Sequence, residues 1–331
     1  MKISIVGTGW VGSTAAYTIG TQGLSEELVL IDVAANIATA HSIDIGEAAA
    51  VSRKDVKITA GAYSDMAGSD IVVVTASAPM QARPAGTPPP SAQPSRRLGL
   101  GRNILLISEI GKAIDAYCPE AIVITTSNPV EALSYTSYLA SSSRNRNRFL
   151  GYTINDTTRL RVWVSQALNV FPTEVDIFAL GEHGDSQVPI FSRLLVHGKP
   201  VKLSEDLIAS LRKKPVEYLK NWSSLKSGRS SGWLSGAGLA AMVRAIRDDA
   251  KQVLPCSAIL AGEYGFEGFS IGVPAVIGRG GIREILQWTL DADEKRRLAE
   301  SAAVLKDAAR FAEEAFKNGF KDFENTGAGP A

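Results

Sequence analysis

The stretch "KISIVGTGWVGSTAAYTIG" near the N-terminus limits the possible folds more than any other. A short β-branched run ends on glycine, and small and apolar residues at helical spacing follow it. Gly7, Gly9 and Gly12 stand between the two in the spacing G-x-G-x-x-G. Gly7 permits a tight turn, Gly9 lets the backbone approach a pyrophosphate, and Gly12 lets the helix pack closely on the strand. The helix N-terminus then offers its unpaired N–H groups to phosphates. A second strand, "ELVLID", ends on Asp32, about twenty residues beyond the last of these glycines. A carboxylate there accepts hydrogen bonds from the adenosine ribose hydroxyls and repels a 2′-phosphate, so NAD is expected rather than NADP.

The alternation continues. "IATAHSIDIGEAAA" reads as helix, "DVKITAG" and "DIVVVTAS" as strands, "NILLISEIGKAIDAYC" as helix and "EAIVITTSNP" as strand. Alternating strands and helices imply right-handed crossovers and a parallel sheet covered on both faces. The expected fold is therefore α/β, with a Rossmann-type doubly wound parallel sheet over residues 1–150. Ligands of such sheets bind where the strands end. Trp10 and Val11 in the first loop, and Thr75 and Ala76 after the fourth strand, join the glycines and Asp32 as candidate cofactor contacts. At 331 residues the chain has room for a second domain. It is expected as a mixed α/β unit over residues 151–324, followed by a frayed tail at 325–331.

Charge is balanced, with 35 Lys and Arg against 34 Asp and Glu, so no nucleic-acid or membrane partner is drawn by net charge. No apolar run approaches the ~20 residues of a membrane span. Cys118 and Cys256 have neither metal-ligand spacing nor a disulfide framework, and no leader precedes the first strand. Buried thiols, a cytoplasmic location and no metal are expected.

The second half carries the chemistry. "FLGYTINDTTRLRVWVSQAL" reads as a helix with Asp156 in its first turn and Arg159 one turn along on the same face. "EVDIFALGEHGDSQVPIFSRLLVHG" gives two strand-like stretches around a turn that holds His183 between glycines. His41 and His197 sit in ordinary helical and strand-end settings. Hydride transfer between nicotinamide and a carbonyl needs a proton donor for the nascent alkoxide, and histidine titrates in the useful range. Asp156 is the candidate to orient the ring, and Arg159 suits a substrate carboxylate. "GLAAMVRAIRDDAKQVL" and "DEKRRLAESAAVLKDAARFAEEAF" read as amphipathic helices.

"IVGTGWVG", "LIDV", "VVVTASAP", "RLGLGRN", "TSNPVE", "LGEHGDSQVP" and "GVPAVIGRGGIREIL" follow one another along the chain. In these motifs and their order the sequence resembles the lactate/malate dehydrogenase family. The resemblance implies an NAD-dependent oxidoreductase acting on the CH–OH group of L-2-hydroxy acids, assembled as a homodimer or homotetramer. By the same resemblance His183 is the proton donor and acceptor, Asp156 its partner and Arg159 the carboxylate clamp. Asn128 contacts the nicotinamide ribose and the substrate oxygen. Arg97, six positions before Asn103, is the loop arginine that polarises the carbonyl, with Arg96 the competing register. Ser231 matches the substrate-pocket position, Ser230 being the alternative. Asn155, where the family has leucine, departs from the pattern.

The stretch "SAPMQARPAGTPPPSAQPSRRLGLGRN" holds six of the fifteen prolines but lies inside the cofactor half. It is expected as an enlarged active-site lid over residues 77–98. Matching "RPAG" to the family's motif puts Arg83 where the substrate side chain is read, which favours malate; Gln81, Met80 or a loop proline remain alternatives. Glu182 and Ser186 in "GEHGDS" resemble lactate-type members. The expected activity is L-lactate dehydrogenase-like, with malate second. An NAD-dependent glycosidase, which would need a Cys/His metal site, and a non-enzymatic NAD-binding protein are the readings outside the class.

Overall fold

The computed structural model describes residues 1–78 and 94–320, with the backbone alone for residues 94–98. Gln81, Arg83, the greater part of "TPPPSAQPS" and the tail at 325–331 lie outside the described residues, as do the side chains of Arg96 and Arg97.

The first half alternates as its sequence requires. β1 (Lys2–Val6), α1 (Trp10–Thr21), β2 (Glu27–Ile31), α2 (Ala35–Val51), β3 (Lys57–Ala60), β4 (Ile71–Val74), α3 (Pro94–Tyr117), β5 (Ile122–Thr125), α4 (Val130–Ala140) and β6 (Phe149–Tyr152) follow in order. The strands are parallel and lie in the order β3-β2-β1-β4-β5-β6. Ile71, Val72, Val73 and Val74 are all fully buried, which shows both faces of the sheet to be covered.

Beyond β6 come α5 (Ile154–Leu168), the short strands β7 (Val175–Asp176), β8 (Ala179–Leu180), β9 (Val188–Pro189), β10 (Leu195–Val196) and β11 (Lys199–Pro200), and then α6 (Glu205–Ser224) and α7 (Gly232–Arg247). β12 (Gln252–Ala261), β13 (Glu267–Gly278), β14 (Gly281–Ile285) and α8 (Ala292–Lys317) complete the chain. β12 pairs antiparallel with β6, and β13 and β14 extend the same sheet to nine strands. α1 packs on α7, while α4 packs on α3 and α8. No helix among the described residues is long and apolar enough to cross a membrane.

α5 opens at Ile154 with Asp156 in its first turn, as expected, and the preceding "FLGY" is a strand taken up between β5 and β12. Two local expectations are corrected. The helix expected through Leu254 ends at Arg247. Asp249 and Lys251 adopt left-handed backbone angles, so the chain turns and Val253 and Leu254 enter the long ladder with β13. α3 begins at Pro94, so Arg96 and Arg97 stand in its first turn rather than in a loop. Both cysteines are buried, as expected.

One ion pair ties the segment before β6 to the β12–β13 turn. Arg146 Nη2 and Nη1 lie 2.6 and 3.1 Å from the two Glu263 oxygens, and Nη1 also donates to the Ile259 carbonyl at 2.8 Å. The hydrogen bonds from Arg146 pull the Glu263 carboxyl from 4.5 down to about 2. Its contribution to stability is therefore present above pH 4.5 and is lost as pH falls from there through about 2. Glu263→Gln should melt below the wild type at pH 7, with the gap closing across that window; a gap independent of pH in thermal melts would refute the assignment.

Candidate active site

The cofactor end of the site is built by the β1–α1 turn. Gly7 has φ +92°, and a Cβ there would meet the Ala76 backbone at 2.6 Å, so both the backbone angle and the packing require glycine. A Cβ on Gly12 would run into the Gly7 carbonyl, whereas Gly9 faces open space. Thr75 Oγ1 donates to the Gly7 carbonyl at 2.5 Å and Ala76 N–H to that of Val6 at 3.0 Å, locking the turn against the end of β4. The N-terminus of α1 has no side-chain cap. No side chain therefore competes with a phosphate for its first-turn donors.

Asp32 Oδ2 accepts from the Thr8 N–H at 2.6 Å and the Thr8 hydroxyl at 3.1 Å, and Oδ1 accepts from the Ala34 N–H at 2.9 Å. A carboxylate has about four acceptor positions, so capacity remains for a sugar hydroxyl. Together, the open glycine turn and the braced carboxylate fit NAD. Val11 lies just inside α1, and Trp10 stacks edge-on against Trp233 and beneath the Arg229 guanidinium, 4.4 Å from its ring centre.

Asn128 ends the loop after β5. Its carbonyl accepts from Asn103 Nδ2 at 3.0 Å, while Asn103 Oδ1 accepts from the Ala78 N–H at 2.8 Å. Asn103 thus braces two strand-end loops, a contact that no local pattern in the sequence marks.

The chemical end lies on α5 and the β8–β9 turn. Asp156 is buried in the first turn of α5, and its Oδ2 lies 2.5 Å from His183 Nδ1. Its Oδ1 lies 3.9 Å from Arg159 Nη1, and Arg159 Nη2 donates to the Ser231 hydroxyl at 2.9 Å. Helix spacing had placed Asp156 and Arg159 on one face, but only the fold brings His183 and Ser231 to them. Burial disfavours a charged His183 ring, yet the charge and hydrogen bond of Asp156, helped by Glu131, outweigh it and raise the ring to about 9.

Three contacts were not legible in the sequence. Tyr218 lies under the Arg159 guanidinium, 4.5 Å from centre to cation, with its hydroxyl 3.4 Å from Ser231 Oγ. Glu131 Oε1 accepts the His183 backbone N–H at 2.8 Å. Glu182 and Ser186 bond to each other, and both bond to Ser301 of α8, so they hold the turn. Asn155 accepts from the Tyr152 hydroxyl at 2.7 Å and donates to Ser235 Oγ at 3.0 Å; its departure from the family pattern serves packing between α5 and α7. His197 is exposed, 3.6 Å from Glu174. Among the described residues no group of three His, Cys, Asp or Glu side chains forms a metal site.

A glycine turn at one end and a histidine–carboxylate pair beside an arginine at the other accord with an NAD-dependent oxidoreductase acting on 2-hydroxy acids, the class to which the family models assign the chain. The family models for the NAD-binding domain and the α/β C-terminal domain of lactate/malate dehydrogenases match residues 1–151 and 153–315. A malate dehydrogenase of Thermoproteus tenax is 34% identical over 92% of this chain and 96% of its own. L-lactate dehydrogenase 3 of Bacillus cereus is likewise 34% identical, over 92% and 96%. The apo malate dehydrogenase of Picrophilus torridus superposes with a TM-score of 0.86 at 30% identity, over 96% of this chain and 99% of that one. The chain belongs to the lactate/malate dehydrogenase family.

Replacing Asp32 by Ala should weaken NADH in kcat/KM by roughly tenfold to a hundredfold, the value of about 1.5–3 kcal/mol for hydrogen bonds to a charged group. The NADPH to NADH ratio should rise at the same time. Unchanged kinetics with both cofactors would remove Asp32 from the nucleotide site.

Proposed function

We propose that His183 passes the proton to and from the substrate oxygen, Asp156 holds its ring, and Arg159 clamps the substrate carboxylate. The observation that carries this reading is that one buried carboxylate, Asp156, faces both the His183 ring and the Arg159 guanidinium. Because Nδ1 is engaged by Asp156, the mobile proton belongs on Nε2. Arg159, backed by Tyr218 and Ser231, keeps its planar fork for a bidentate carboxylate. NADH, when bound on the glycine turn, supplies the hydride. Asn128, braced by Asn103, contacts the ribose and the substrate oxygen. Arg97 polarises the carbonyl; six residues before Asn103 on the same helix, it stands about 9 Å along the axis from that brace.

The preferred acid in this reading is oxaloacetate, reduced to L-malate. It is supported by Arg83 in "RPAG", whose guanidinium would pair with a second carboxylate, and by the malate dehydrogenases among the relatives. The lactate-type signature in "GEHGDS" carries less weight, because Glu182 and Ser186 are engaged with Ser301. Pyruvate, reduced to L-lactate, is the second reading, favoured by the equal identity to the Bacillus cereus enzyme.

A panel of oxaloacetate, pyruvate and larger 2-keto acids, compared by kcat/KM with NADH, decides between them. Oxaloacetate should lead; pyruvate ahead would establish the lactate reading, and turnover of the larger acids alone would overturn both. His183→Ala should lose on the order of 10²–10⁴-fold in turnover while still binding NADH. Turnover that survives would remove His183 from the chemistry.

The pH dependence follows from the raised ring. Keto-acid reduction needs protonated His183, so its kcat/KM should hold through neutrality and fall as pH rises past about 9. Hydroxy-acid oxidation needs the neutral ring and should rise over the same range. Asp156→Asn should move both limbs to lower pH, and unmoved limbs would contradict the role given to Asp156.

A further inference from the structure

His183 is held at two atoms by two carboxylates from different elements. Asp156 of α5 takes the ring, and Glu131, in the first turn of α4, takes the backbone N–H. Glu131 is 2% exposed, and its second oxygen is buried with no hydrogen-bond partner among the described atoms. A carboxylate with a spare oxygen in such a place is costly, so a neighbouring positive charge is required to keep it ionised.

The charges acting on Glu131 come from the β8–β9 turn: His183 favours its carboxylate and Glu182 disfavours it. Asp156 and Arg159 of α5 face the His183 ring itself. Two acidic groups of the other helices packed on α4 are taken up elsewhere, one just past its C-terminal end and one along it. Asp115 of α3 accepts from Ser142, and Glu313 of α8 accepts from Tyr135. Burial pushes the Glu131 carboxyl up to about 7, against the pull of His183.

We propose that Glu131 is a positioning residue for the reaction, fixing His183 through its backbone amide and supplying a second negative charge that favours the protonated ring. The inference rests on the acid–base role given to His183 above. α4 starts two residues after Asn128, so one helix end carries both the Asn128 contact and the support of His183. When His183 gives its proton to the substrate oxygen, the cation that favoured the Glu131 carboxylate disappears. The two groups therefore titrate as a pair.

Glu131→Gln tests this, since it keeps an oxygen for the His183 N–H but removes the charge. The chain has three histidines, so the His183 ring can be followed directly by NMR of histidine-labelled protein, independently of turnover. The ring of the variant should titrate at least about half a pH unit below that of the wild type. The loss in kcat/KM for keto-acid reduction should be severalfold larger at pH 9 than at pH 6. Glu131→Ala, which also removes the acceptor, should lose kcat at every pH. An unmoved ring titration with a uniform loss of kcat would overturn the proposal and leave Glu131 a structural contact. Should Glu131→Gln fail to fold, Glu131→Asp carries the test: the charge is present, so the ring should titrate as in the wild type, and a lowered titration overturns the proposal. A lowered ring titration in a variant that turns over as well as the wild type at every pH would instead remove His183 from the chemistry and leave the electrostatic pairing standing.

Discussion

The pairing of β6 with β12 decides where the chemistry can happen. Only two residue pairs make it, Tyr152 with Cys256 and Gly151 with Ser257, and a Cβ on Gly151 would meet Ser257 Cβ at 2.6 Å. α5 starts two residues after β6, which fixes Asp156 just beyond the C-terminal end of that strand. β13 lies beside β12, and Gly272 of β13 exchanges two 2.9 Å backbone hydrogen bonds with Gly181, two residues before His183. A Cβ on Gly272 would strike the Gly181 carbonyl, so two bare backbones must meet there. The 2.5 Å contact between Asp156 and His183 is thus the end product of three successive strand pairings.

That chain of pairings explains what was legible beforehand. The glycine turn, Asp32 and the first five strands are local patterns: spacing, β-branched runs and glycines record them directly. Asp156 and Arg159 were readable as neighbours because a helix repeats every 3.6 residues. Their meeting with His183 was readable only through family resemblance. The nine-strand extent of the sheet was missed because β12 follows an amphipathic helix with only a left-handed turn at Asp249–Lys251 between them. Glu131 and Tyr218 were silent because nothing in a helical pattern tells a buried carboxylate or an aromatic ring which distant residue it will face. Asn155 stood out as a departure from the family pattern, and its hydrogen bond to Ser235 was not readable from that.

Charge in the site serves orientation more than stability. Asp156 and Glu131 are both buried, and a buried charge contributes little once its desolvation is counted. Asp156 holds the ring and Glu131 the backbone N–H of His183, and both raise the ring. Outside the site, pairs such as Arg296 with Glu300 are exposed, and solvent screens them.

The bonds from Glu182 and Ser186 to Ser301 have a temporal consequence. The His183 turn is anchored on the last helix, more than a hundred residues downstream. During synthesis the nucleotide-binding sheet can form early, because its strands are contiguous in the chain. The turn that carries His183 cannot settle until α8 has emerged. A nascent chain of this protein therefore acquires its nucleotide fold well before the His183 turn is held, and that ring is among the last parts of the molecule to find its place.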